Sequence, residues 1–163
     1  TAQKLLLSEK EPIINLAKTI VEKINGKRIV AYGDSVFAGV IERFRQQLNE
    51  NSKQLAWHHA LPEMNHNELV GWGGGDDSIA VLIFRSDFDN PRTKIRMDLS
   101  QKIFKNYTPT VLELNAKGAN PIEQAFYHIL LGDWISILLA ESNDVDPVEI
   151  KVIEYLKSEL AKI

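Results

Sequence analysis

The chain has 163 residues, of which 44% are hydrophobic and 25% charged, ordinary values for one soluble domain with an adequate core. A formal net charge of −3, with both signs interspersed, leaves no electrostatic footprint for nucleic acid or an anionic membrane. The absence of cysteine excludes disulfides and thiol catalysis and is compatible with a cytoplasmic location. No apolar run approaches the roughly 18–20 residues that span a bilayer, and the first residues carry no signal-peptide pattern. The chain opens on Thr1 rather than methionine, which is compatible with a fragment of a longer protein.

Residues 8 to 25 read as a helix. Ser8 is its expected N-cap, Glu9 and Glu11 lie where the helix dipole favours anions, and Ile13, Ile14, Leu16, Ala17, Ile20, Val21 and Ile24 recur at helical spacing. Asn25-Gly26 supplies the stop. The run IVAYG at 29–33 has the pattern of a buried parallel strand, and Asp34-Ser35 caps a helix that ends near Asn51. A second strand is expected over about 54–60, stopped by Pro62; SIAVLIF at 78–84 makes a third. Asn90-Pro91 opens a helix to about Phe104, and TVLEL at 110–114 makes the fourth strand. Asn120-Pro121 opens a long apolar helix to about Glu141, and Asp146-Pro147 opens the last, to about Leu160.

Strands alternating with helices predict an α/β fold: a three-layer sandwich around a mostly parallel, four- or five-stranded flavodoxin-like sheet, in one domain over 1–163. The long helix at 121–141 is apolar nearly all round, so it is expected to be buried, inside the domain or at a subunit interface, with His128 a satisfied buried histidine.

Chemistry-bearing residues concentrate between Gln46 and Trp72, with Glu50, Glu63, Glu68, His58, His59 and His66. Glu50 lies at a helix end before a strand and His66 in the loop after it. A carboxylate and an imidazole at two element ends can converge across a cleft as a base and its proton-handling partner. Read alone, both also fit plainer roles: a solvated helix-end carboxylate and a hydrogen-bonded loop histidine. His58 and His59 should face opposite sides of the sheet, one packed and one exposed. The three histidines have no recognised metal-ligand spacing, so no metal is expected. Trp72-Gly73-Gly74-Gly75-Asp76-Asp77 lacks a phosphate-loop register and reads as a mobile loop beside a site, or a linker turn.

The stretches NENSK and PEMNHNE, followed by VGW, resemble the C-terminal half of the bifunctional phosphoglucose/phosphomannose isomerases, in which two sugar-isomerase (SIS) domains share one chain. The resemblance runs from NGKRIVAYG to DVDPVEIKVIEYLK. It implies aldose–ketose isomerisation of a hexose 6-phosphate through a cis-enediol, with no metal or organic cofactor. By carry-over Glu50 is the base that moves a proton between C1 and C2, and His66 opens the sugar ring, reaching the site of the neighbouring subunit of a homodimer. A lysine of the C-terminal segment also contributes; Lys157 is the match, with Lys151 and Lys162 as alternatives in a loose register.

Asn65, Glu63 and Ser35 are the candidate substrate-binding residues. Glu63 either orients His66 or caps the turn that follows, and Glu68 is expected to be a solvated loop carboxylate. The chain departs from the resemblance at GDSVFAG, where Asp34 replaces a glycine-rich turn and sets a negative charge near any phosphate. A structural cap is the preferred reading there. It departs again at Val148, where a threonine is usual. The resemblance further implies that the substrate phosphate is held by an N-terminal SIS domain absent here. The isolated chain should then be inactive, and should self-associate through its long apolar helix. The rival reading is a regulatory SIS module that binds a phosphosugar without turning it over.

Overall fold

The computed structural model describes residues 1–163. Four parallel strands form one sheet in the order β2-β1-β3-β4: β1 (Arg28–Asp34), β2 (Ala56–Leu61), β3 (Ile79–Arg85) and β4 (Val111–Asn115). Side chains alternate across each strand, so Ile29, Ala31, Ala80, Leu82 and Phe84 join one core, while Val30, Tyr32, Val81 and Ile83 join another. Both faces are therefore covered, the arrangement that continuous apolar strands require.

The first core is closed by α1 (Ala2–Ile24), α2 (Ala38–Asn51) and α5 (Pro121–Ser142). Long α5 packs between α1 and α2, and Tyr127, Leu131, Ile135 and Leu139 are buried there. One side of it is thus used inside the domain, while Ile122, Phe126 and Ile137 stay exposed. The second face is covered by α4 (Pro91–Phe104) and by residues 62–75. That stretch contains a 3-10 turn over Glu63–His66, the short helix α3 (Glu68–Gly71) and another 3-10 turn over Trp72–Gly74. A last helix, α6 (Lys151–Leu160), contains no buried residue. No helix is long and apolar enough to cross a membrane.

Three boundaries differ from the sequence expectation. The first helix begins at Ala2, because residues 2–7 include strong helix formers; Ser8 Oγ donates to Leu5 O (2.9 Å) inside the helix instead of capping it. The second strand is displaced to 56–61, with Leu55 left exposed ahead of it. The last helix starts four residues late, since Asp146 Oδ1 accepts from Val148 N (2.9 Å) and holds Pro147 in a turn. The starts at Asn90-Pro91 and Asn120-Pro121 are as expected, each with the asparagine side chain accepting a backbone N–H.

Candidate active site

Glu50 lies in the last turn of α2, exposed, on a helix end that is otherwise locked down. Ser52, fully buried, donates to Ser136 O (2.7 Å); Asn51 Nδ2 donates to Ser136 Oγ (2.9 Å), and Asn143 Nδ2 to Ser52 O (3.0 Å). Asn49 Oδ1 accepts from Ala56 N (3.0 Å) and so fixes the start of β2. The carboxylate is left at the lip of a groove of about 280 Å³ between the end of α2 and the start of α6, with Asn49, Lys53 and Lys151 also in its lining. Of the three candidate C-terminal lysines, the one on this groove is Lys151. Lys157 is exposed further along α6 and does not line it, because six residues of α-helix turn a side chain well away from the first.

His66 belongs to the opposite edge of the sheet. Glu50 precedes the six residues of β2 and His66 follows them, so the two are separated by roughly 20 Å of strand. They do not converge within one chain, and neither does a metal-binding set of histidines and carboxylates form. His66 is exposed, whereas its neighbours are engaged: Met64 is fully buried, and Asn65 Nδ2 donates to Ser100 Oγ on α4 (2.9 Å). Glu63 is held not by His66 but by Asn67, whose Nδ2 donates to its Oε1 (3.2 Å).

Glu68 is no solvated loop carboxylate. Its Oε1 accepts from Tyr32 Oη (2.5 Å) and Trp57 Nε1 (3.1 Å), and its Oε2 pairs with His59 Nδ1 (2.8 Å). Tyr32 in turn accepts from Trp72 Nε1 (3.1 Å) and stacks on Phe104. Burial first, and the Glu68 carboxylate after it, push the Tyr32 hydroxyl far above its ordinary pKa, so it stays a donor. His58 and His59 are both half-buried and face opposite sides of the sheet; burial and then the Arg45 charge lower the pKa of His58. The segment 72–77 is likewise tied down, with Trp72 buried against Phe104 and Lys27 Nζ donating to Asp77 O (2.5 Å). The sequence offered one signal for the Glu68 cluster: a tyrosine and a tryptophan, each with one polar atom needing a partner when buried, on two consecutive strands.

In parallel α/β sheets ligands usually bind beyond the carboxyl ends of the strands, at the point where the strand order reverses. Here that point lies between β1 and β3, and carboxylates fill it. Asp34, 1% exposed, caps the turn over Ser35–Phe37 through Val36 N (3.0 Å) and accepts from Asn90 N (2.8 Å) across the crevice. Ser35 Oγ contacts the same carboxylate (3.3 Å). Beyond β3 and β4 a cavity of about 310 Å³ is lined by Asp87, Asp89, Asp98 and Glu113 together with Arg85 and Lys94. Arg85 is engaged by both Asp98 and Glu113. Burial chiefly, with the Asp34 charge adding to it, pushes the Asp89 carboxyl up. This edge repels a phosphate dianion.

The chain has relatives among known proteins. Residues 13–160 match the profile of the bacterial phospho-glucose isomerase C-terminal SIS domain. The chain is 34% identical over 163 residues to a bifunctional phosphoglucose/phosphomannose isomerase of Aquifex aeolicus, covering 99% of this chain and 51% of that protein. It is 35% identical over 160 residues to the protein of that name from Thermoplasma volcanium, covering 96% and 51%. The chain therefore spans about half the length of the curated relatives it matches. Among solved structures, a glucose-6-phosphate isomerase like protein from Thermus thermophilus superposes with a TM-score of 0.67 at 20% identity, over 90% of this chain and 47% of that one. A tagatose-6-phosphate ketose/aldose isomerase from Escherichia coli gives 0.61 at 15% identity, over 90% and 43%. At such identities the structures establish the fold, and the profile with the curated relatives establishes the family: the chain belongs to the bacterial phospho-glucose isomerase C-terminal SIS domains.

Proposed function

We propose that this chain is the base-bearing half of an aldose–ketose isomerase acting on hexose 6-phosphates, glucose or mannose 6-phosphate against fructose 6-phosphate. The observation that carries the reading is Glu50, an exposed carboxylate on a rigid helix end at the lip of a groove whose other wall is the start of α6. In the reaction Glu50 removes the C2 proton of the open-chain aldose, leaving a cis-enediol, and returns it to C1 as the hydroxyl proton passes from O2 to O1. A positioned carboxylate contributes about 10²–10⁴-fold to such a transfer. Lys151, on the same groove, is better supported than Lys157 as the lysine that faces developing negative charge on the enediol oxygens. His66 transfers the ring-oxygen proton, and because it lies at the far edge of β2 it serves the groove of a second copy rather than its own. The phosphate is held by an N-terminal SIS half. Asn65, with both ends of its amide directed at α4, supports the His66 turn more than it reaches substrate.

The test is conversion of fructose 6-phosphate to glucose 6-phosphate, followed in a coupled assay on the full-length protein. Glu50→Gln and His66→Ala should each lose about 10²-fold or more in kcat with folding intact. Glu63→Gln should lose far less, and equal losses at Glu63 and Glu50 would reverse the assignment of the base. Saturable phosphosugar binding without turnover in the unsubstituted protein points instead to a regulatory module.

A further inference from the structure

We propose that Glu68 is the positioning residue for His66. The inference rests on the role given to His66 above, but its geometry stands by itself. His66 lies in a connection that leaves β2 at Leu61 and is fixed at both ends. Upstream, Met64 is fully buried and Asn65 is bonded to Ser100 on α4. Downstream the first strong anchor is Glu68, two residues on, whose carboxylate gathers donors from β1 (Tyr32) and β2 (Trp57 and His59). Its backbone is fixed as well, since Glu68 N donates to Asn67 Oδ1 (2.6 Å). An exposed imidazole on a 3-10 turn has no contacts of its own to define its direction; the anchors on either side set it. Met64 packs into the apolar core beneath the sheet, and Glu68 adds side-chain hydrogen bonds to two of its strands.

Carboxylate chemistry suits the task. One ionised group takes hydrogen bonds from three side chains at once, and each bond to a charged acceptor is worth the equivalent of about tenfold or more in an equilibrium. A glutamine in its place removes the charge: its oxygen can keep Tyr32 and Trp57 only as weaker neutral acceptor bonds, and its amide can donate to His59 only if that ring shifts to the tautomer with a bare Nδ1. A cleft of about 190 Å³ lined by Tyr32, Trp57, Trp72 and the glycines at 71, 74 and 75 opens beside Glu68, which gives a variant room to fold.

The experiment uses the full-length protein with Glu68→Gln, His66→Ala and the double variant, read by steady-state kinetics and by hydrogen exchange. The expected result for Glu68→Gln is a kcat about tenfold lower with KM within about twofold. Exchange of the amides at 63–67 should rise about tenfold or more while the rest of the chain is unchanged. In the His66→Ala background the same substitution should cost no further activity, because a residue that acts through His66 has nothing left to act on. Losses that multiply independently, or exchange at 63–67 that does not change, overturn the proposal. Should His66→Ala keep full turnover, the catalytic reading of His66 fails, and the exchange result alone then decides whether Glu68 fixes the segment. If Glu68→Gln does not fold, Trp57→Phe, which removes one donor and keeps an aromatic ring, carries the same comparison.

Discussion

Acid should weaken this domain through the buried His128 among other groups. It lies on α5 with 1% exposure, its ring edge-on to Phe84 at 5.0 Å, and Nε2 pairs with Arg85 O at 3.0 Å. A carbonyl can only accept, so Nε2 carries the proton and Nδ1 is bare; Nδ1 is buried without any partner. Protonation would put a second N–H, and a charge, where nothing receives either. Burial accordingly lowers the pKa from 6.5 to about 4, offset only in part by the bond to Arg85. The folded pKa lies below the unfolded one, so below neutrality the unfolded chain binds more protons. The contribution to stability is complete above about pH 6.5 and is lost as pH falls from there to about 4. Its full size is roughly 3 kcal/mol.

The assay is urea unfolding of the 163-residue chain at half-unit steps between pH 7.5 and 4, alongside His128→Gln, which retains a donor for Arg85 O. Other groups titrate in both proteins, so the difference between the two curves isolates His128. The wild-type advantage over the variant should shrink by roughly 3 kcal/mol across that interval. A difference that stays level within about 0.5 kcal/mol would mean that His128 has the same pKa folded and unfolded, and the burial argument would fall.

Two other outcomes follow from the placement of Glu50, His66 and α6. Mixing full-length Glu50→Gln with full-length His66→Ala should restore turnover that neither has alone, since a mixed dimer holds one groove with both groups intact; no recovery after subunit exchange would place both residues in one chain's site. Ending the chain at Ile150 should cost less than about 1 kcal/mol, a Tm change under about 2–4 °C, because α6 buries nothing in this domain. In the full-length protein the same truncation should abolish most turnover, because Lys151 and one wall of the groove go with it.

The fold was largely legible in the sequence because its signals are local. IVAYG and SIAVLIF are apolar without interruption, as strands covered on both faces must be, and Asn-Pro pairs fix two helix starts through a side-chain cap and a preset φ. The misplaced starts have local rivals: the helix-forming run before Ser8, and an aspartate at 146 that bonds its own turn. The candidate site was legible only in part. Glu50 and His66 stood out, but their separation depends on the direction of β2 between them, which spacing alone leaves open. Glu68 escaped because its partners come from residue 32 and from 57–59, joined only when Tyr32 and His59 become register neighbours. Lys151 and Lys157 share one amphipathic pattern, and which faces the groove depends on where α6 begins.

Charge placement supports the proposal that this domain supplies half of a site. A hexose 6-phosphate brings a dianion, which needs cations or free backbone N–H groups. At the carboxyl edge of this sheet the N–H groups of Val36 and Asn90 are already taken by Asp34, and Arg85 by Asp98 and Glu113. Gly33 faces the core there: a Cβ would lie 2.7 Å from Ile41 Cδ1 and 3.3 Å from Phe84 Cβ and O. The amino edge offers the reverse, a free carboxylate at Glu50 with Lys53 and Lys151 on the same groove. Under the proposed function, Glu50 would draw its phosphate site from another sheet's carboxyl edge. The same proposal suits α6, an amphipathic helix that leaves Val152, Ile153, Leu156 and Leu160 exposed beside the groove.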